Sequence, residues 1–214
     1  YKTYALDFWG FGESGKQGGS FTVKDYVEMV NQIMDRLGIE RCPIIGHSMG
    51  GRIALSLAQN FPGKVKSLIM AASGSGTAGR AGSDCVPGLP HRLVYDMVSM
   101  GFEKFIHDEI VESDTYFTKD FRDKHRDQVE EFFKVAWATH AKLDPFIHLC
   151  MARHNFEGTH RLGDVQAPTL VLIGEADTVG SNHMAQAKVL VERIRGAEMK
   201  VLKGQSHGFF WQAP

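Results

Sequence analysis

The sequence predicts an α/β fold built on a parallel β-sheet. Short apolar runs that have the composition of strands alternate with longer segments whose apolar residues recur every three to four positions. The run 43–45 is apolar throughout and ends abruptly at Gly46, which is typical of a strand with both faces buried in a parallel sheet. This alternation is the pattern of strands and helices packed in layers around one core.

The first 73 residues contain most of the predicted sheet. We predict strands at 4–7, 43–45 and 65–72, and helices at 22–37 and 50–61. The first helix carries its apolar residues on one face, at Val27, Val30, Met34 and Leu37, and Gly38 follows as a stop signal.

Residues 74–164 differ, because they show helix patterns and no buried strand. Two predicted helix faces carry Leu93, Met97 and Met100, and Val129, Phe133, Ala136 and His140. The alternation then resumes with a strand at 169–173, a helix at 184–195 and a strand at 199–202. We therefore predict one core, formed by 1–73 and 165–214, and a helical insertion over 74–164, without an internal repeat.

Composition narrows the possible partners. The 214 residues are 43% hydrophobic and 23% charged, as in an ordinary globular domain. The 24 basic and 25 acidic side chains give a net charge of −1, so no nucleic acid or anionic membrane is predicted as a partner. No stretch approaches the roughly 20 apolar residues of a membrane span. The oligomeric state is not predicted.

Cysteine usage and the first residues bear on the compartment. Cys42, Cys85 and Cys150 are too few and too scattered for a disulfide framework or a zinc site, and their odd number favours a reducing compartment. The first residues lack the features of a signal peptide and have the composition of a strand already under way. A cytoplasmic location is the default expectation.

The strongest motif is G-H-S-M-G-G at 46–51, which has the pattern G-x-S-x-G between a predicted strand and a predicted helix. In that context the pattern places Ser48 on a sharp turn, and the flanking glycines permit the turn and the close approach of neighbouring backbone. The helix N-terminus favours negative charge, and the N–H of Met49 is predicted to stabilise an oxyanion. The alternative is an ordinary Gly/Ser turn.

A serine nucleophile needs a base and an acid that orients the base. Asp177 follows the strand at 169–173, and His207 follows the strand at 199–202, so both are expected at the carboxyl edge of the sheet. We predict His207 as the base and Asp177 as the acid. Glu175 and Asp164 are the competing acids, and a simple loop histidine and a turn aspartate are the alternative interpretations.

Two other glycine-rich runs match binding motifs incompletely. The run at 10–17 lacks the Ser or Thr that closes a phosphate-binding P-loop, and residues 17–20 delay the following helix. The run at 74–79 has the spacing of a dinucleotide fingerprint but continues into Gly82, Pro87 and Pro90 rather than a helix. The insertion holds seven histidines without metal-binding spacing: His91, His107, His125, His140, His148, His154 and His160. We predict no cofactor and no metal, and we expect His47 to be a packed neighbour of the turn.

Together these motifs resemble the alpha/beta-hydrolase superfamily over the whole chain. D-F-W-G-F-G-E-S at 7–14 is similar to the loop after the family's fourth strand, and P-T-L-V-L-I-G at 168–174 is similar to its seventh strand. The insertion then corresponds to the cap between the family's strands six and seven. The nearest branch contains small-molecule esterases, enol-lactonases and carbon–carbon bond hydrolases.

The resemblance implies a small-molecule substrate and a triad of Ser48, His207 and Asp177. It also implies a chain that starts near the family's fourth strand, without the loop after the third strand that normally gives the second oxyanion donor. Loss of one donor typically costs about 10²–10³ in turnover, so we expect this fragment to be weakly active or inactive. The strand at 1–7 would then pair directly with 43–45 or leave a gap.

The predicted function is cleavage of a small, partly apolar carboxylic ester or lactone through an acyl-enzyme. Carbon–carbon bond hydrolysis on the same fold and a non-catalytic, ligand-binding relative are the alternatives. Pocket shape decides among such substrates, and the sequence does not reveal it.

Overall fold

A computed structural model describes residues 2–15, 22–76, 91–140, 142–179 and 183–213. Its sheet has four parallel strands, in the order β1 (Cys42–His47), β2 (Val65–Ala71), β3 (Thr169–Gly174) and β4 (Glu198–Leu202). Parallel neighbours cannot be joined by a hairpin, so helices connect successive strands. The predicted α/β class with a parallel sheet is confirmed.

Nine α-helices lie in the described part of the chain. They are α1 (Val23–Arg36), α2 (Met49–Asn60), α3 (His91–Ser99), α4 (Phe102–His107), α5 (Lys119–Lys124), α6 (Arg126–Thr139), α7 (Leu143–Asn155), α8 (His183–Arg193) and α9 (Phe209–Gln212). A π-helical turn, Asp108–Glu112, continues α4, and 3₁₀ turns cover Pro62–Lys64 and Thr159–Asp164.

Local chemistry sets the ends of α1. The Thr22 side chain accepts a hydrogen bond from the Asp25 N–H while the Asp25 carboxylate accepts from the Thr22 N–H, which forms a capping box. Gly38, at φ +66°, ends the helix as predicted. Leu37 was expected on the buried face, but it is 47% exposed because it lies beyond the last helical turn.

The main core lies between the sheet and its helices. Nearly every residue of α2 is buried, because this helix contacts α1, β1 and β2 at once. The apolar faces of α1 and α8 complete this cluster. The strands at 65–72, 169–173 and 199–202 and the helix at 50–61 therefore lie close to where the sequence predicted them.

The helices α3 to α7 lie between β2 and β3 in the chain and share a second hydrophobic cluster. Met97, Val111, Phe117 and Val129 are fully buried in it. Met100 was expected on the same face as Met97, but it follows the end of α3 and is 40% exposed. The helix α7 joins the two clusters, because Ala152 belongs to the main core and Cys150 to the second.

Two predictions for the β1 side of the sheet are wrong. Residues 4–7 are not a strand, and of the two alternatives for this segment, pairing with 43–45 or a gap, the described chain shows the gap, because the neighbour of β1 there is β2 alone. Pro43 and Ile45 are exposed, Ile45 by 71%, although both faces of this strand were expected to be buried. The helix α2 packs on β1, and no described element covers the face that carries Ile45.

The glycine-rich runs that resembled nucleotide motifs have other structural roles. At 7–14 the Asp7 carboxylate accepts a hydrogen bond from the Glu13 N–H, and the Gly12 N–H donates to the Thr139 carbonyl of α6. A Cβ on Gly74 would lie 1.6 Å from the Gln186 side-chain oxygen, so this glycine allows close packing. Residues 16–20 and 77–90, with Cys85, Gly82, Pro87 and Pro90, lie outside the described residues.

Candidate active site

Ser48 lies at the sharp turn between β1 and α2. Its φ of +52° and ψ of −116° fall in a region that L-residues rarely adopt. The Ser48 N–H donates to the Ala71 carbonyl at 2.9 Å, and the Ser48 carbonyl accepts from the Ser73 hydroxyl at 2.6 Å. The end of β2 and the residues after it therefore hold this strained turn in place.

The pair of glycines that close packing requires around Ser48 is not the pair that was predicted. A Cβ on Gly46 would lie 2.3 Å from the Gly50 carbonyl oxygen, so no larger residue fits there. A Cβ on Gly51 would lie 2.4 Å from Ser73. A Cβ on Gly50 would meet nothing within 4 Å, so the second glycine of G-x-S-x-G is not the one that requires close packing.

Met49 is the first residue of α2, where backbone N–H groups lack partners within the helix. In the described part of the chain its N–H donates to no other group. The helix N-terminus adds partial positive charge at the same place. Met49 is thus placed as an oxyanion donor would be.

Asp177 and His207 are brought together by the loops that follow β3 and β4. The His207 Nδ1 atom lies 2.9 Å from Asp177 Oδ2, within a hydrogen bond. His207 is 2% exposed and Asp177 is 9% exposed, so water has little access to this pair. The Ala176 N–H donates to the Gln205 carbonyl at 2.8 Å and ties the two loops to each other.

The two competing acids make their contacts elsewhere. Glu175 is exposed, and its carboxylate accepts from the Gly204 N–H at 2.9 Å. Asp164 is exposed and pairs with Arg161 at 2.9 Å. Of the three acids considered from the sequence, Asp177 is the one that contacts His207.

The sequence analysis missed His183. This residue begins α8 and is 5% exposed, and its Nδ1 atom lies 3.0 Å from Asp177 Oδ1. The Nδ1 of His183 is less well aligned with the carboxylate than the Nδ1 of His207, so this contact lacks the geometry of a hydrogen bond. The sequence signal that could have indicated His183 was a histidine six residues after Asp177, next to the start of a predicted helix.

His47 connects the Ser48 turn to the base. Its Nε2 atom lies 3.0 Å from the His207 carbonyl oxygen, and the two rings are 4.7 Å apart. Burial, followed by the nearby His207, lowers the pKa of His47 to about 4. His47 is therefore a neutral ring that contacts the backbone of His207, in keeping with its expected packing role.

The charges at the site follow from burial and from these contacts. Burial alone would raise the pKa of Asp177, but the contacts with His183 and His207 outweigh burial and hold this pKa well below its usual range. Burial lowers the pKa of His207, and Asp177 partly offsets that effect. At neutral pH the pair is therefore a carboxylate and a neutral imidazole.

The segment after the π-helical turn packs on the His207 loop. The Gly208 N–H donates to the Tyr116 carbonyl at 2.7 Å, and the Ser206 hydroxyl donates to the Thr115 carbonyl at 2.8 Å. The ring of Tyr116 lies 5.4 Å from the His207 ring, edge to face. Apolar and aromatic surface thus borders one side of the imidazole.

Ser48 and His207 share an edge of the sheet without a direct hydrogen bond between their side chains among the described residues. Ser48 follows β1, whereas Asp177 and His207 follow β3 and β4, and all three positions lie at the carboxyl ends of parallel strands. The link between them runs through His47, the residue immediately before Ser48. Catalytic hydrogen bonds are often long in free enzymes and tighten in the complex.

A metal could be considered only at Asp177, His183 and His207 within the described ranges, where one donor atom of each lies within 4.8 Å of the others. Each imidazole Nδ1 there faces a separate oxygen of one carboxylate, so contacts between the side chains already account for the cluster. In the described chain, no helix has the length and apolar character needed to cross a membrane.

The chain is similar to a named hydrolase and to a protein without a named activity. It is 28% identical over 188 residues to the 2-hydroxy-6-oxononadienedioate/2-hydroxy-6-oxononatrienedioate hydrolase of Paraburkholderia xenovorans (strain LB400), a match that covers 84% of this chain and 60% of that enzyme. A Mycobacterium bovis protein is 35% identical over 77 residues, which are 36% of this chain and 23% of that protein. The chain thus spans less than two thirds of the length of either relative.

Structural similarity extends over most of the chain. The enol-lactonase from Burkholderia xenovorans LB400 superposes with a TM-score of 0.79 at 22% identity, over 95% of this chain and 72% of that structure. The model of the family described as "alpha/beta hydrolase fold" matches residues 1–214. The chain belongs to the alpha/beta hydrolase fold family.

Proposed function

We propose that this chain is a serine hydrolase that cleaves a small, partly apolar carboxylic ester or lactone. Ser48 is the nucleophile, His207 the general base and Asp177 the orienting acid. The observation that carries the proposal is the buried hydrogen bond of 2.9 Å between His207 and Asp177, at the sheet edge that holds the strained Ser48 turn.

The protonation pattern supports these roles. The Nδ1–H of His207 donates to Asp177, so in the neutral ring the Nε2 atom carries the lone pair. This Nε2 would take the Ser48 proton as the hydroxyl attacks the substrate carbonyl, and Asp177 would stabilise the resulting imidazolium. His207 would then return the proton to the leaving alcohol, and water would release the acyl group by the same steps.

The oxyanion that forms during attack needs hydrogen-bond donors. The N–H of Met49 is proposed as the first donor, because it lies at the helix N-terminus next to Ser48 and has no partner in the described chain. The second donor stays unassigned. With one donor the acylation step is expected to be slower by about 10²–10³ than with two.

The aromatic surroundings of His207 support a partly apolar substrate, and the structural similarity to an enol-lactonase supports an ester or lactone. Carbon–carbon bond hydrolysis is the second candidate. It is favoured by the 28% identity to an enzyme named for a 2-hydroxy-6-oxo-dienedioate substrate. The partner in either case is a small molecule.

A fluorophosphonate probe tests the nucleophile directly, since it reacts covalently with activated serines. Because only one oxyanion donor is assigned, we expect the 214-residue chain to be labelled slowly, Ser48→Ala to abolish labelling, and Ser99→Ala, at the exposed end of α3, to retain it. A folded chain that the probe does not label, or labelling that survives in Ser48→Ala, would contradict the proposal and favour a ligand-binding relative.

Substrate class is tested by turnover with the same protein. We expect slow hydrolysis of a nitrophenyl ester of a short acid and of a small enol-lactone, both dependent on Ser48. Faster cleavage of a 2-hydroxy-6-oxo-dienoate than of either ester would replace the first candidate by carbon–carbon bond hydrolysis.

A further inference from the structure

Two imidazoles face the same carboxylate at this site. His207 Nδ1 lies 2.9 Å from Oδ2 of Asp177, and His183 Nδ1 lies 3.0 Å from Oδ1. The two rings are nearly parallel, with an interplanar angle of 25° and centroids 5.5 Å apart. Each oxygen of the carboxylate therefore has its own histidine.

All three side chains are removed from water. Their exposed fractions are 9% for Asp177, 5% for His183 and 2% for His207. A buried carboxylate oxygen without a donor carries a desolvation penalty, so the contact with His183 matters more here than it would on the surface. The described hydrogen-bond donor to Oδ1 is the Val179 N–H, at 3.1 Å, and His183 contacts the same oxygen from the other element.

The packing of α8 in the core makes His183 suited to hold the carboxylate. His183 is the first residue of α8. The same helix packs against the core through its buried residues Gln186, Ala187 and Leu190. The terminal torsion of an aspartate is broad and nearly two-fold, so one contact does not fix its carboxylate plane. Contacts to both oxygens from two different elements do fix it.

We propose that His183 is a positioning residue of this hydrolase, which holds Oδ1 of Asp177 so that Oδ2 stays directed at the Nδ1 of His207. The inference rests on the proposed function, in which His207 is the base. His183 itself does not contact the substrate or Ser48 in this role. Its effect reaches the reaction through the orientation of the Asp177–His207 pair.

The experiment compares His183→Phe, which keeps a ring but has no polar atom, with His183→Asn, whose amide nitrogen can replace Nδ1. On a nitrophenyl ester we expect His183→Phe to lower kcat by about 10- to 100-fold, the scale of a small misplacement of a catalytic group, with KM unchanged. His183→Asn is expected to recover most of kcat. Wild-type kcat in His183→Phe, or no recovery in His183→Asn, would overturn the inference.

Leu190→Ala serves as the matched control for packing, because Leu190 lies on the buried face of α8 and does not contact Asp177. We expect it to lower Tm while leaving kcat per labelled site unchanged. If it lowers kcat as much as His183→Phe does, the effect of position 183 is structural and the inference fails.

A readout that does not depend on turnover separates this inference from the proposed function. In protein labelled with ¹⁵N-histidine, the Nδ1 proton of His207 is expected to be protected from exchange in the wild type and to exchange faster in His183→Phe. Unchanged protection would overturn the inference even in an active enzyme. The proposed function would fail by itself if Ser48 were not labelled while the His207 Nδ1 proton still exchanged faster in His183→Phe than in the wild type. In that case the contact of His183 with Asp177 would be a structural one.

Discussion

The Nε2 atom of His47 donates a hydrogen bond to the carbonyl oxygen of His207, at 3.0 Å. A carbonyl oxygen can only accept, so the proton must lie on Nε2 of His47. With a pKa of about 4, His47 stays neutral throughout the pH range in which a histidine base operates. The residue before the predicted nucleophile thus holds the backbone of the predicted base.

His47→Phe keeps a ring in place but removes this donor. Because His207 is 2% exposed, its carbonyl would lose a partner in a nearly dry site, and we expect a loss of about 1–3 kcal/mol in the free energy of unfolding. Fluorophosphonate labelling should also slow. Urea unfolding measures the first effect, and His160→Phe, at an exposed position, serves as the control. Equal stability and labelling in His47→Phe would show that the contact does not hold the loop.

The same histidine predicts a pH dependence of stability. Burial lowers the pKa of His47 from 6.5 to about 4, so between these values the unfolded chain binds a proton that the folded chain does not. This contribution is fully present above about pH 6.5 and is lost as pH falls towards 4, up to about 3 kcal/mol in total. Urea unfolding from pH 8 to pH 4 should therefore show a smaller loss of stability in His47→Phe than in the wild type. Parallel curves would contradict the lowered pKa.

Asp177→Asn tests the assignment of the acid. The amide can no longer hold the Nδ1–H tautomer of His207, and such a change lowers kcat by about 10⁴ in a serine triad. Glu175→Gln and Asp164→Asn are matched controls, since their carboxylates contact Gly204 and Arg161 instead. We expect both controls to keep kcat/KM within a few-fold of the wild type. An active Asp177→Asn, or an inactive Glu175→Gln, would assign the acid elsewhere.

The two glycines of G-x-S-x-G should respond to alanine in opposite ways. Gly46→Ala puts a Cβ 2.3 Å from the Gly50 carbonyl oxygen, so the turn must shift, and we expect lost Ser48 labelling and a lower Tm. Gly50 lies within α2 with open space at its Cβ position, so alanine there should leave the free energy of unfolding equal or raise it through better helix propensity, by up to about 1 kcal/mol. Comparable destabilisation by both substitutions would contradict this division.

The parts of the fold and site that could be predicted from sequence are those with a strong local signal. The strand, turn and helix around Ser48 and the strands before Asp177 and His207 have composition and glycine spacing that suffice for a prediction. The residues at 4–7 have the same strand composition. They form no strand, because a strand also needs a hydrogen-bonded neighbour, and local sequence does not specify it.

The remaining features depend on contacts between distant segments. Asp177 rather than Glu175 is the acid beside the base, because the loop after β3 turns Asp177 towards His207. His183 reaches Asp177 because α8 packs beside that loop. The exposure of Ile45 depends on what covers a sheet face, which the apolar run itself does not reveal. Each of these is set by tertiary packing rather than by residue type or spacing.

Arg153, on α7, is expected to lower the pKa of His207, the proposed base. Its Nε atom is buried without a hydrogen-bond partner, while one of its terminal nitrogens lies 3.3 Å from His154 Nε2 and its charge also acts on Glu109. Burial is the largest cause of the lowered pKa of His207, Asp177 acts against it, and the Arg153 charge adds to the lowering.

Arg153→Met removes this charge, so the pKa of His207 should rise. Because the base must be neutral to accept the Ser48 proton, the acid limb of kcat/KM should move to higher pH than in the wild type. Arg126→Met is the matched control: Arg126 is 46% exposed and pairs with Glu112 and Glu130, so its loss should leave the limb in place. The measurement is kcat/KM on a nitrophenyl ester from pH 4.5 to 8.5. A limb that stays fixed or moves to lower pH in Arg153→Met would mean that this charge does not act on His207.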